Sequence, residues 1–516
     1  MTGFAVGQRV KAADDHAKGT IRYIGGVEGS SGEWLGVEWD DPSRGRHDGA
    51  INDQRYFQCQ FNGAGSFIRP KRCVRSVSFL QAVRDKYTTC PDQSERFFIG
   101  KNSEARGEFK IPVTFVGEDI VAAQQSQLEK LACVSVRGME VSTVESNILD
   151  ILKNLKEVDL EDNLLTDWED VFRLWPNVVE LRLGKNKLCA TIPSSVLLNA
   201  SEVPSKLQKL VLNSVENAWG HVCDLARHGC LTSLIELYLG DNRIETFDNV
   251  PESGLDRLGL LDLTGNCISD WSALTPLSCF PSLSTLVVDK NHLESIGPIS
   301  PNDFPKLVSL SLYGNRLSSI DCFSSLQDLS SLKSLRIQNN PVEVQIGFRL
   351  LRGFLIGLLP NLDTLNRSEI TARERANSEF EFMRLCQSET SAFHRGPRHL
   401  ELLKKFDSAI DRKDPNSMAP EQPATLSLKI RSNLSSSMTM APAIRNVLQS
   451  MSLDLITQLA RRYFKIEQSA ELELYYHDPD SGFPILLDDW SKSLEFYAVR
   501  SGGEIIVESK GKSIIR

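Results

Sequence analysis

The sequence predicts a multidomain protein with three successive modules: a small β-barrel, a long α/β solenoid and a compact C-terminal domain that mixes strands with one helix. Three observations support this prediction. They are alternating runs broken by glycine-rich turns near the N-terminus, a recurring pattern of leucines and one asparagine in the middle, and a strand–strand–helix–strand–strand order near the C-terminus. The length of 516 residues fits three or four domains of about 150 residues each.

Composition narrows the function classes before any motif is considered. The formal net charge is −9, with 41% hydrophobic and 24% charged residues, and this acidic balance argues against nucleic acid as the main partner. No apolar run approaches the ~18 residues of a membrane span, and the first residues lack the layout of a signal peptide. We therefore expect a cytoplasmic protein without a membrane partner. The eleven cysteines form no C-x-x-C pair, which favours reduced thiols over a zinc site or a disulfide framework.

Residues 1–77 are predicted to form the β-barrel, because short alternating runs are separated by glycine-rich turns. The runs include "GTIRYIG", "GEWLGVEWDDPSRGRHDG", "RYFQC" and "GSFIRP". Their order, from about Val6 to Val77, resembles the CAP-Gly family, cytoskeleton-associated modules that hold acidic-aromatic C-terminal tails. The family's central loop is G-K-N-D-G. Here it is Gly45-Arg46-His47-Asp48-Gly49, which is conservative at Arg46 and departs from the family at His47.

The resemblance implies a peptide groove beside this loop. The glycines, Gly45 and Gly49, would bend the loop so that its backbone and polar side chains, including those of His47 and Asp48, face the peptide. Basic residues would attract a glutamate-rich tail and its terminal carboxylate: Arg46, Arg69 and Lys71. Aromatic residues would form the slot for an aromatic last residue: Trp34, Tyr56 and Phe67. The departures at His47 and at Gly29, where the family often has an apolar residue, could weaken tail affinity. The alternative is that the glycines only serve turns.

Residues 78–127 are predicted to be a connecting segment, partly ordered. Within it "FKIPVTFV" is typical of a strand, whereas "DQSERFFIGKNSEARGE" is typical of a loop.

Residues 128–385 are predicted to form the solenoid. Seven segments share the form L-x-x-L-x-L-x-x-N-x-L, and an eighth, beginning at Leu207, has Val215 in place of the asparagine. The seven begin at Leu155, Val178, Leu234, Leu258, Leu283, Leu307 and Leu332. Successive starts, with Leu207 included, lie 23 to 29 residues apart, which is the leucine-rich-repeat period. We expect inward leucines, an asparagine that bonds the backbone at each turn, and stacking of the repeats around a shared core.

The side chains between the leucines are predicted to line the concave face of the solenoid. The first half of this face is acidic and the second half is mixed. Aromatic and arginine side chains are typical anchors for a protein partner, and four are candidates here: Arg182, Tyr238, Tyr313 and Arg336. The alternative is a merely solvated face.

Residues 386–424 are predicted to be a helix and a linker, and residues 425–510 a separate domain. Its order is strand "TLSLKIRS", a weaker strand near "AIRNVLQ", helix "SLDLITQLARRYFKI", strand "ELELYY", a loop and the final segment "KSLEFYAVRSGGEIIVES", in which Gly502-Gly503 is predicted to be a hairpin turn between strands. This order resembles the ubiquitin-like β-grasp fold. The helix is expected to place Leu453, Ile456, Leu459 and Ala460 on one face. The chain does not end in Gly-Gly, so we expect a docking domain rather than a conjugated modifier.

No catalytic motif is found in the sequence. There is no G-x-G-x-x-G after a strand, no H-E-x-x-H and no G-x-S-x-G, and "SKGKS" lacks the first glycine of a phosphate loop. The histidines lie at no metal-ligand spacing. We therefore predict that the protein is not an enzyme and has no cofactor and no bound metal.

The combination of the three modules resembles the tubulin-folding cofactor E family of tubulin chaperones. The resemblance implies that the chain binds α-tubulin and its acidic-aromatic tail. It also implies work with the other tubulin-folding cofactors, B, C and D, in assembling and dissociating the α/β-tubulin heterodimer, in the cytoplasm and in association with the cytoskeleton. The alternative is a microtubule-associated scaffold that binds polymer through its CAP-Gly module. The absence of a long coiled-coil heptad run favours the chaperone. A ligase adaptor is a third, weaker reading.

Overall fold

The computed structural model describes residues 3–52, 54–88, 98–100, 110–112, 126–201, 205–300, 302–386, 396–410, 425–434, 441–467, 470–477, 485–487, 489–490, 492–497 and 499–509. The chain divides into two compact units, Met1–Lys405 and Phe406–Arg516, and each is described here by itself.

The first unit begins with a five-stranded antiparallel sheet in the order β6-β3-β2-β1-β7. The strands are β1 (Arg9–Ala12), β2 (Lys18–Val27), β3 (Ser30–Trp39), β6 (Gly65–Ile68) and β7 (Cys73–Val74). A two-stranded ribbon of β4 (Ala50–Ile51) and β5 (Gln54–Arg55) accompanies them, with 3-10 turns at Pro42–Arg44 and Pro70–Arg72. Alternation along β3 directs Leu35, Val37 and Trp39 into a core with Val10 and Ile21, all at most 1% exposed.

The segment after this sheet, predicted to be a partly ordered connection, contains a helix and strands in its described residues. Strand β8 (Val77–Ser78) pairs in parallel with β12 (Val141–Thr143), and helix α1 (Phe79–Tyr87) follows. The Ser78 side chain caps α1, whose apolar face buries Phe79, Leu80, Ala82 and Val83. Further on, β9 (Phe98–Gly100) pairs with β10 (Lys110–Pro112). The prediction of a loop over Asp92–Glu108 is therefore wrong at Phe98–Gly100. The strand predicted in "FKIPVTFV" is present at Lys110–Pro112, and its remainder lies outside the described residues.

The solenoid is built on an eleven-stranded sheet whose strands, apart from the last, pair in parallel with identical register from one repeat to the next. Its strands are β11 (Cys133–Ser135), β13 (Glu157–Asp159), β14 (Glu180–Arg182), β15 (Lys209–Val211), β16 (Glu236–Tyr238), β17 (Leu260–Asp262), β18 (Thr285–Val287), β19 (Ser309–Ser311), β20 (Ser334–Arg336), β21 (Thr364–Leu365) and β22 (Ser368–Glu369).

Short helices return the chain from one strand to the next. The α-helices are α2 (Ile148–Ile151), α3 (Trp168–Phe172), α4 (Ser194–Ser201) and α5 (Ala218–Arg227), and the 3-10 helices are Trp271–Ala273, Thr275–Cys279 and Ile320–Asp328. One further 3-10 helix, Leu128–Lys130, precedes the first strand. The middle residue of each three-residue strand, such as Leu181, Leu237 or Leu310, is at most 2% exposed. One repeat cannot bury such a face alone, so the stacked leucines form the continuous core of the solenoid.

The repeated asparagines bond the backbone as predicted. Asn266, for example, is 2% exposed and donates from Nδ2 to the carbonyls of Leu239 and Leu263, at 2.9 Å each. Its Oδ1 accepts from the Ile244 amide at 3.0 Å. In the repeat that carries Val215 instead, the Asn242 side chain of the next repeat accepts the Val215 amide at 2.7 Å. The ladder therefore continues through the irregular repeat.

Helices close the C-terminal end of the solenoid. They are α6 (Pro341–Ile346), α7 (Phe348–Leu358), α8 (Ala372–Cys386) and α9 (Pro397–Ile410). Arg398 and Glu379 form a buried ion pair at 2.6 Å that ties the start of α9 to α8, and the Arg398 Nε also donates to the Gly357 carbonyl at 2.9 Å. Both charges are therefore paired and hydrogen-bonded, as buried charges require.

The second unit is a five-stranded sheet packed on one helix, in the order β24-β23-β27-β25-β26. The strands are β23 (Thr425–Ser432), β24 (Ala443–Leu448), β25 (Leu472–His477), β26 (Ile485–Leu487) and β27 (Glu504–Ser509), and the helix is α10 (Leu453–Phe464). Leu453, Ile456 and Ala460 are buried as predicted, but Leu459 is 40% exposed. Leu459 lines a cleft beside the edge strand β24 instead of entering the core. The predicted hairpin at Gly502-Gly503 is wrong, because the described residues between Lys492 and Ser501 form no strand to pair with β27.

None of the helices that the structure describes is long and apolar enough to cross a membrane.

Candidate peptide groove and concave surface

The loop Gly45–Gly49 has a conformation that requires both of its glycines. A Cβ on Gly45 would overlap the Gly63 carbonyl oxygen, and one on Gly49 would overlap the Phe57 carbonyl oxygen. Gly49 also has a φ of +101°, which side chains rarely tolerate. Three backbone hydrogen bonds hold the loop to β6: Arg46 N–H to the Gly65 carbonyl and Gly65 N–H to the His47 carbonyl, both at 2.7 Å, and His47 N–H to the Gly65 carbonyl at 3.2 Å. The glycines therefore fix the path of the loop, as the resemblance implied.

An aromatic cluster lies beside this loop. Gly36 on β3 stands between Tyr23 on β2 and Phe67 on β6, and its missing side chain leaves room for the Phe57 ring, which a Cβ would meet at 2.5 Å. The ring centroids of Tyr23 and Phe67 are 6.0 Å apart. Tyr56 packs edge-on against both rings, at 5.3 Å from each. Trp34 lies two residues before Gly36 and therefore on the same face of β3. The three aromatic residues predicted for the groove, Trp34, Tyr56 and Phe67, thus share one surface.

His47 joins the aromatic cluster instead of extending into solvent. Its ring lies 5.1 Å from Phe67 and 5.9 Å from the buried Phe57. Its Nδ1 accepts the Gly49 amide at 3.0 Å, so the neutral ring carries its proton on Nε2. Burial lowers the pKa of His47 below its usual value, although the Asp48 carboxylate opposes the shift. A neutral His47 is therefore part of the loop structure near pH 7.

The charged residues predicted for the groove differ in how they are held. Among the residues that the structure describes, the Arg46 and Lys71 side chains have no bonding partner, and both are exposed. The Arg69 guanidinium stacks on the Trp34 ring at 3.8 Å and donates to the Glu33 carbonyl at 3.3 Å. Arg46 and Lys71 are thus free to meet a carboxylate, and Arg69 is held flat against the aromatic surface.

Asp48 is engaged within the loop. Its carboxylate accepts from Arg55 at 2.6 Å, and the Arg55 hydrogen bond lowers the pKa of Asp48. Arg55 also donates to the Asp48 carbonyl at 3.2 Å. Asp48 therefore stabilises the loop, and its charge is already matched before any peptide arrives.

On the concave face, the predicted anchors Arg182 and Tyr238 belong to one polar cluster. Arg182 donates to Glu180 at 2.6 Å, and Lys209 lies between Glu180 and Glu236, at 3.7 and 3.6 Å. Tyr238 donates to Glu236 at 3.0 Å. Burial, with the Glu236 carboxylate beside it, raises the pKa of Tyr238 to about 12. These side chains bridge three neighbouring strands, β14 to β16.

The other two predicted anchors form a second cluster towards the C-terminal end of the same face. Arg336 forms an ion pair with Asp289 at 2.9 Å and stacks over the Tyr313 ring at 4.0 Å. Asp289 also accepts the Tyr313 amide at 2.9 Å. The four predicted concave residues are therefore partly exposed but already engaged with neighbours, in two groups rather than one.

The groove module and the solenoid are joined by a seam of ion pairs. Lys11 pairs with Glu140, Lys18 pairs with Asp162 at 2.9 Å, and Lys187 pairs with Asp40 at 3.3 Å. Lys18 also donates to the Asn163 carbonyl at 3.0 Å. Burial lowers the pKa of Lys18, although the Asp162 carboxylate opposes this.

Helix α1 reinforces the seam. The Leu80 amide donates to the Glu145 side chain at 3.0 Å, and the Lys86 ammonium donates to the Ser135 carbonyl at 2.6 Å. With the β8–β12 pairing, these contacts fix the groove module to the first repeats.

Sequence reasoning missed three residues of the groove: Tyr23, Phe57 and Arg55. Tyr23 and Phe57 stand in the quoted runs "GTIRYIG" and "RYFQC". Their aromatic character was the available signal, but only the fold brings them to Phe67. Arg55 could not be assigned from its position alone, because its role depends on the turn that returns it to Asp48.

Comparisons with known proteins agree with this architecture. The CAP-Gly domain family model matches residues 6–73, and the Leucine rich repeat family model matches residues 281–342. The chain is 30% identical over 537 residues to tubulin-folding cofactor E of Arabidopsis thaliana, covering 98% of each protein. It is 30% identical over 539 residues to tubulin-specific chaperone E of Homo sapiens, covering 98% of this chain and 99% of the relative.

A solved structure, the C-terminal ubiquitin-like domain of mouse tubulin-specific chaperone E, matches 19% of this chain and 97% of its own at 27% identity, with a TM-score of 0.16. The predicted multidomain fold class is confirmed: the family models match the CAP-Gly and leucine-rich-repeat modules, and the second unit itself has the strand order and single helix of a ubiquitin-like β-grasp fold. Since the similarity to the two named relatives extends over nearly the full length of each protein, the chain belongs to the tubulin-folding cofactor E family, also named tubulin-specific chaperone E.

Proposed function

We propose that this chain is a chaperone that binds α-tubulin at two places. The groove on residues 1–77 takes the acidic-aromatic C-terminal tail, and the concave face of the solenoid takes the folded body. At the groove, Arg46 and Lys71 meet the glutamates and the terminal carboxylate, while the last aromatic side chain packs on Trp34, Tyr56 and Phe67.

The observation that carries this proposal is the pairing of the two surfaces within one compact unit. The seam at Lys11, Lys18 and Lys187 ties the groove module to the solenoid. A tail contact and a body contact on the same client then raise each other's effective concentration, so that two weak sites act as one strong one.

The two concave clusters support binding of a folded body because their side chains are already held in fixed positions, although their charges are already paired. Arg182, Tyr238, Tyr313 and Arg336 are held in place by their neighbours, so little side-chain entropy is lost when a partner covers them. Tyrosine and arginine in such positions are frequent hot spots of protein interfaces.

In this proposal the chain acts in the cytoplasm with the other tubulin-folding cofactors, B, C and D. Together they assemble the α/β-tubulin heterodimer and dissociate it. The support is membership of the family, whose members are named for tubulin folding. The chain itself contributes binding energy and no chemical step.

Co-sedimentation with microtubules tests this function against polymer scaffolding. A chaperone of this kind stays in the supernatant with soluble tubulin and lowers the amount of polymer as its concentration rises. A chain that pellets with microtubules and leaves their mass unchanged would contradict the chaperone and support the scaffold. Solid-phase capture of soluble tubulin by the full chain provides the second readout.

A further inference from the structure

The second unit contains a cleft to which no role has been assigned. It lies between the edge strand β24 and helix α10 and has a volume of about 400 Å³. Its lining combines apolar residues with two arginines: Ile430, Ala443, Arg445, Leu459, Ala460, Arg462, Tyr463 and Phe464. No carboxylate is among these lining residues. The cleft is therefore an apolar depression with positive charge at its border.

At two residues of β24 along this cleft, the backbone N–H and C=O groups point to the unpaired edge of the sheet. Ser427 and Lys429, which stand opposite Asn446 and Ile444, use their backbone groups on the β27 side, where Gly502 N–H donates to Ser427 at 2.7 Å and Lys429 N–H donates to Gly503 at 3.0 Å. Two opposite residues of an antiparallel pair either bond each other or both direct their backbone groups away from each other. The amides and carbonyls of Ile444 and Asn446 therefore point to the free edge.

Among the described strands, none pairs with this edge of β24. Arg445 connects the edge and the cleft, because its Nη1 donates to the Ile444 carbonyl at 3.0 Å and its guanidinium lies 5.1 Å from the Tyr463 ring. Ile444 is 67% exposed and Leu459 is 40% exposed, so apolar surface is open on the strand and on the rim of the cleft. An exposed edge strand beside an apolar cleft is a template for an added strand.

We propose that this cleft binds an extended peptide segment of a partner protein that carries apolar residues next to acidic ones. The peptide adds to β24 as a further strand and bonds the outward groups of Ile444 and Asn446. One apolar side chain enters the cleft over Ala443, Ala460 and Leu459, and the adjacent carboxylates meet Arg445 and Arg462.

Charge and geometry select this occupant over others. The two arginines with no lining carboxylate favour an anionic ligand, and the fork of each guanidinium suits a carboxylate. A helix placed in the cleft would leave the outward amide of Asn446 without a partner, whereas a strand pairs with it. The site lies in the second unit and does not depend on the proposed tail groove or on tubulin as the client.

The test uses the full chain and a fluorescein-labelled, C-terminally amidated peptide in which alternating valines and isoleucines precede a run of glutamates. Fluorescence anisotropy should show saturable binding. The double variant Arg445→Glu/Arg462→Glu should weaken binding by about tenfold or more, since two charge-assisted contacts become repulsive. Arg84→Glu/Lys130→Glu makes the same change in net charge at exposed residues of the first unit and should leave the affinity within about twofold.

A backbone variant separates strand addition from simple charge attraction. Asn446→Pro removes one outward N–H without touching the β23 ladder and should weaken binding by about tenfold, whereas Asn446→Ala should retain it. Arg46→Glu should change nothing, which excludes capture of the peptide by the tail groove. Circular dichroism of each variant confirms that the domain remains folded.

Absence of saturable binding to the wild-type chain would overturn the proposal, as would equal weakening by the two charge-reversal pairs. Full retention of affinity in Asn446→Pro would overturn strand addition. None of these outcomes bears on tail capture, which is measured with a different ligand.

Discussion

Gly49 shows how one backbone position controls the peptide groove. Its φ of +101° and the closeness of the Phe57 carbonyl leave no room for a side chain. Phe57 in turn packs against the His47 ring, so a side chain at Gly49 would displace Phe57 and with it the aromatic cluster.

We expect Gly49→Ala to destabilise the groove module by about 1–3 kcal/mol and to abolish tail binding, because a strained φ is combined with a steric overlap. Chemical denaturation and calorimetry with a tail peptide measure the two effects. Gly63→Ala is the matched control. Gly63 also has a positive φ, +85°, but a Cβ there meets nothing within 4 Å. Tail affinity that survives Gly49→Ala would show that the loop conformation is unnecessary.

His47 makes the loop sensitive to acid. Because burial lowers its pKa in the folded protein, the unfolded chain binds the proton more readily, and stability is lost as the pH falls from about 6.5 through the lowered folded-state pKa. Protonation also places a hydrogen on Nδ1, where the Gly49 amide now donates. Both effects lower the stability of the folded protein as the pH falls.

We therefore expect the thermal midpoint of the wild-type chain to fall more between pH 7.5 and pH 5.5 than that of His47→Asn. Differential scanning calorimetry of the two proteins, compared at each pH, removes the contributions of the other titrating groups. Parallel pH profiles for the two proteins would contradict a structural role for the neutral imidazole.

At the residue scale, the sequence identified the loop and its aromatic neighbours but not their partners. The G-R-H-D-G pattern located Gly45–Gly49 correctly. It could not show that Asp48 is matched by Arg55 or that Arg69 lies on Trp34, because both contacts depend on strands brought together by the fold. Whether these residues bind a tail remains a prediction.

At the scale of the elements, the repeated buried asparagines, here called the asparagine ladder, join each repeat of the solenoid to the next by hydrogen bonds to the backbone. Each buried side chain satisfies backbone groups of two adjacent turns, as Asn266 does for the Leu239 and Leu263 carbonyls and the Ile244 amide. Such groups are costly to leave unpaired in a dry interior.

We expect Asn266→Ala to lower the free energy of unfolding by roughly 2–4 kcal/mol, since several buried polar groups lose their partner at once. Urea denaturation followed by circular dichroism measures this. Asn361→Ala is the control, because the Asn361 side chain bonds Ser330 at the exposed surface and its removal should cost less than about 1 kcal/mol. Equal losses for the two variants would contradict the ladder as the dominant support.

Elements with a strong period were predictable and isolated ones were not. The spacing of leucines and asparagines located the repeats, because the same positions of the pattern recur in each repeat. Helix α1 carries no such repetition, and its apolar face is recognisable only when the first repeat covers it. Leu459 follows the helical period of α10 yet stays exposed, since the sheet ends at β24 before it reaches that side chain.

At the scale of the whole molecule, the proposed two-site binding depends on how firmly the groove module is fixed to the solenoid. The seam combines three ion pairs with a strand pairing and the packing of α1, contacts that no sequence motif announced. It turns two modules into one body with a set distance between tail groove and concave face, and this distance limits which clients can occupy both.

A double-mutant cycle on Lys18 and Asp162 tests the seam. Each single reversal, Lys18→Glu or Asp162→Lys, should lower stability, and the pair exchanged together should recover about 0.5–1 kcal/mol of coupling, a modest value because the Asp162 side chain is 47% exposed. Thermal denaturation of the four proteins gives the coupling. Strictly additive effects would mean that the ion pair contributes nothing to the seam.

The order of modules along the chain was predictable because each has its own local pattern. Their mutual attachment was not, because the pairing residues, Lys11 with Glu140 and Lys18 with Asp162, are far apart in sequence and ordinary in type. Charges of this kind resemble any solvated surface until the fold places them together.

The most direct test of two-site binding measures the affinity of the wild-type chain and of Arg46→Glu/Arg69→Glu for soluble tubulin with and without the α-chain tail. Arg84→Glu/Lys130→Glu, on exposed residues away from the groove, controls for net charge. We predict that the groove variant loses affinity for intact tubulin and equals the wild type on tail-deleted tubulin. An equal loss on both forms, or no loss on either, would contradict capture of the tail and the body by one molecule.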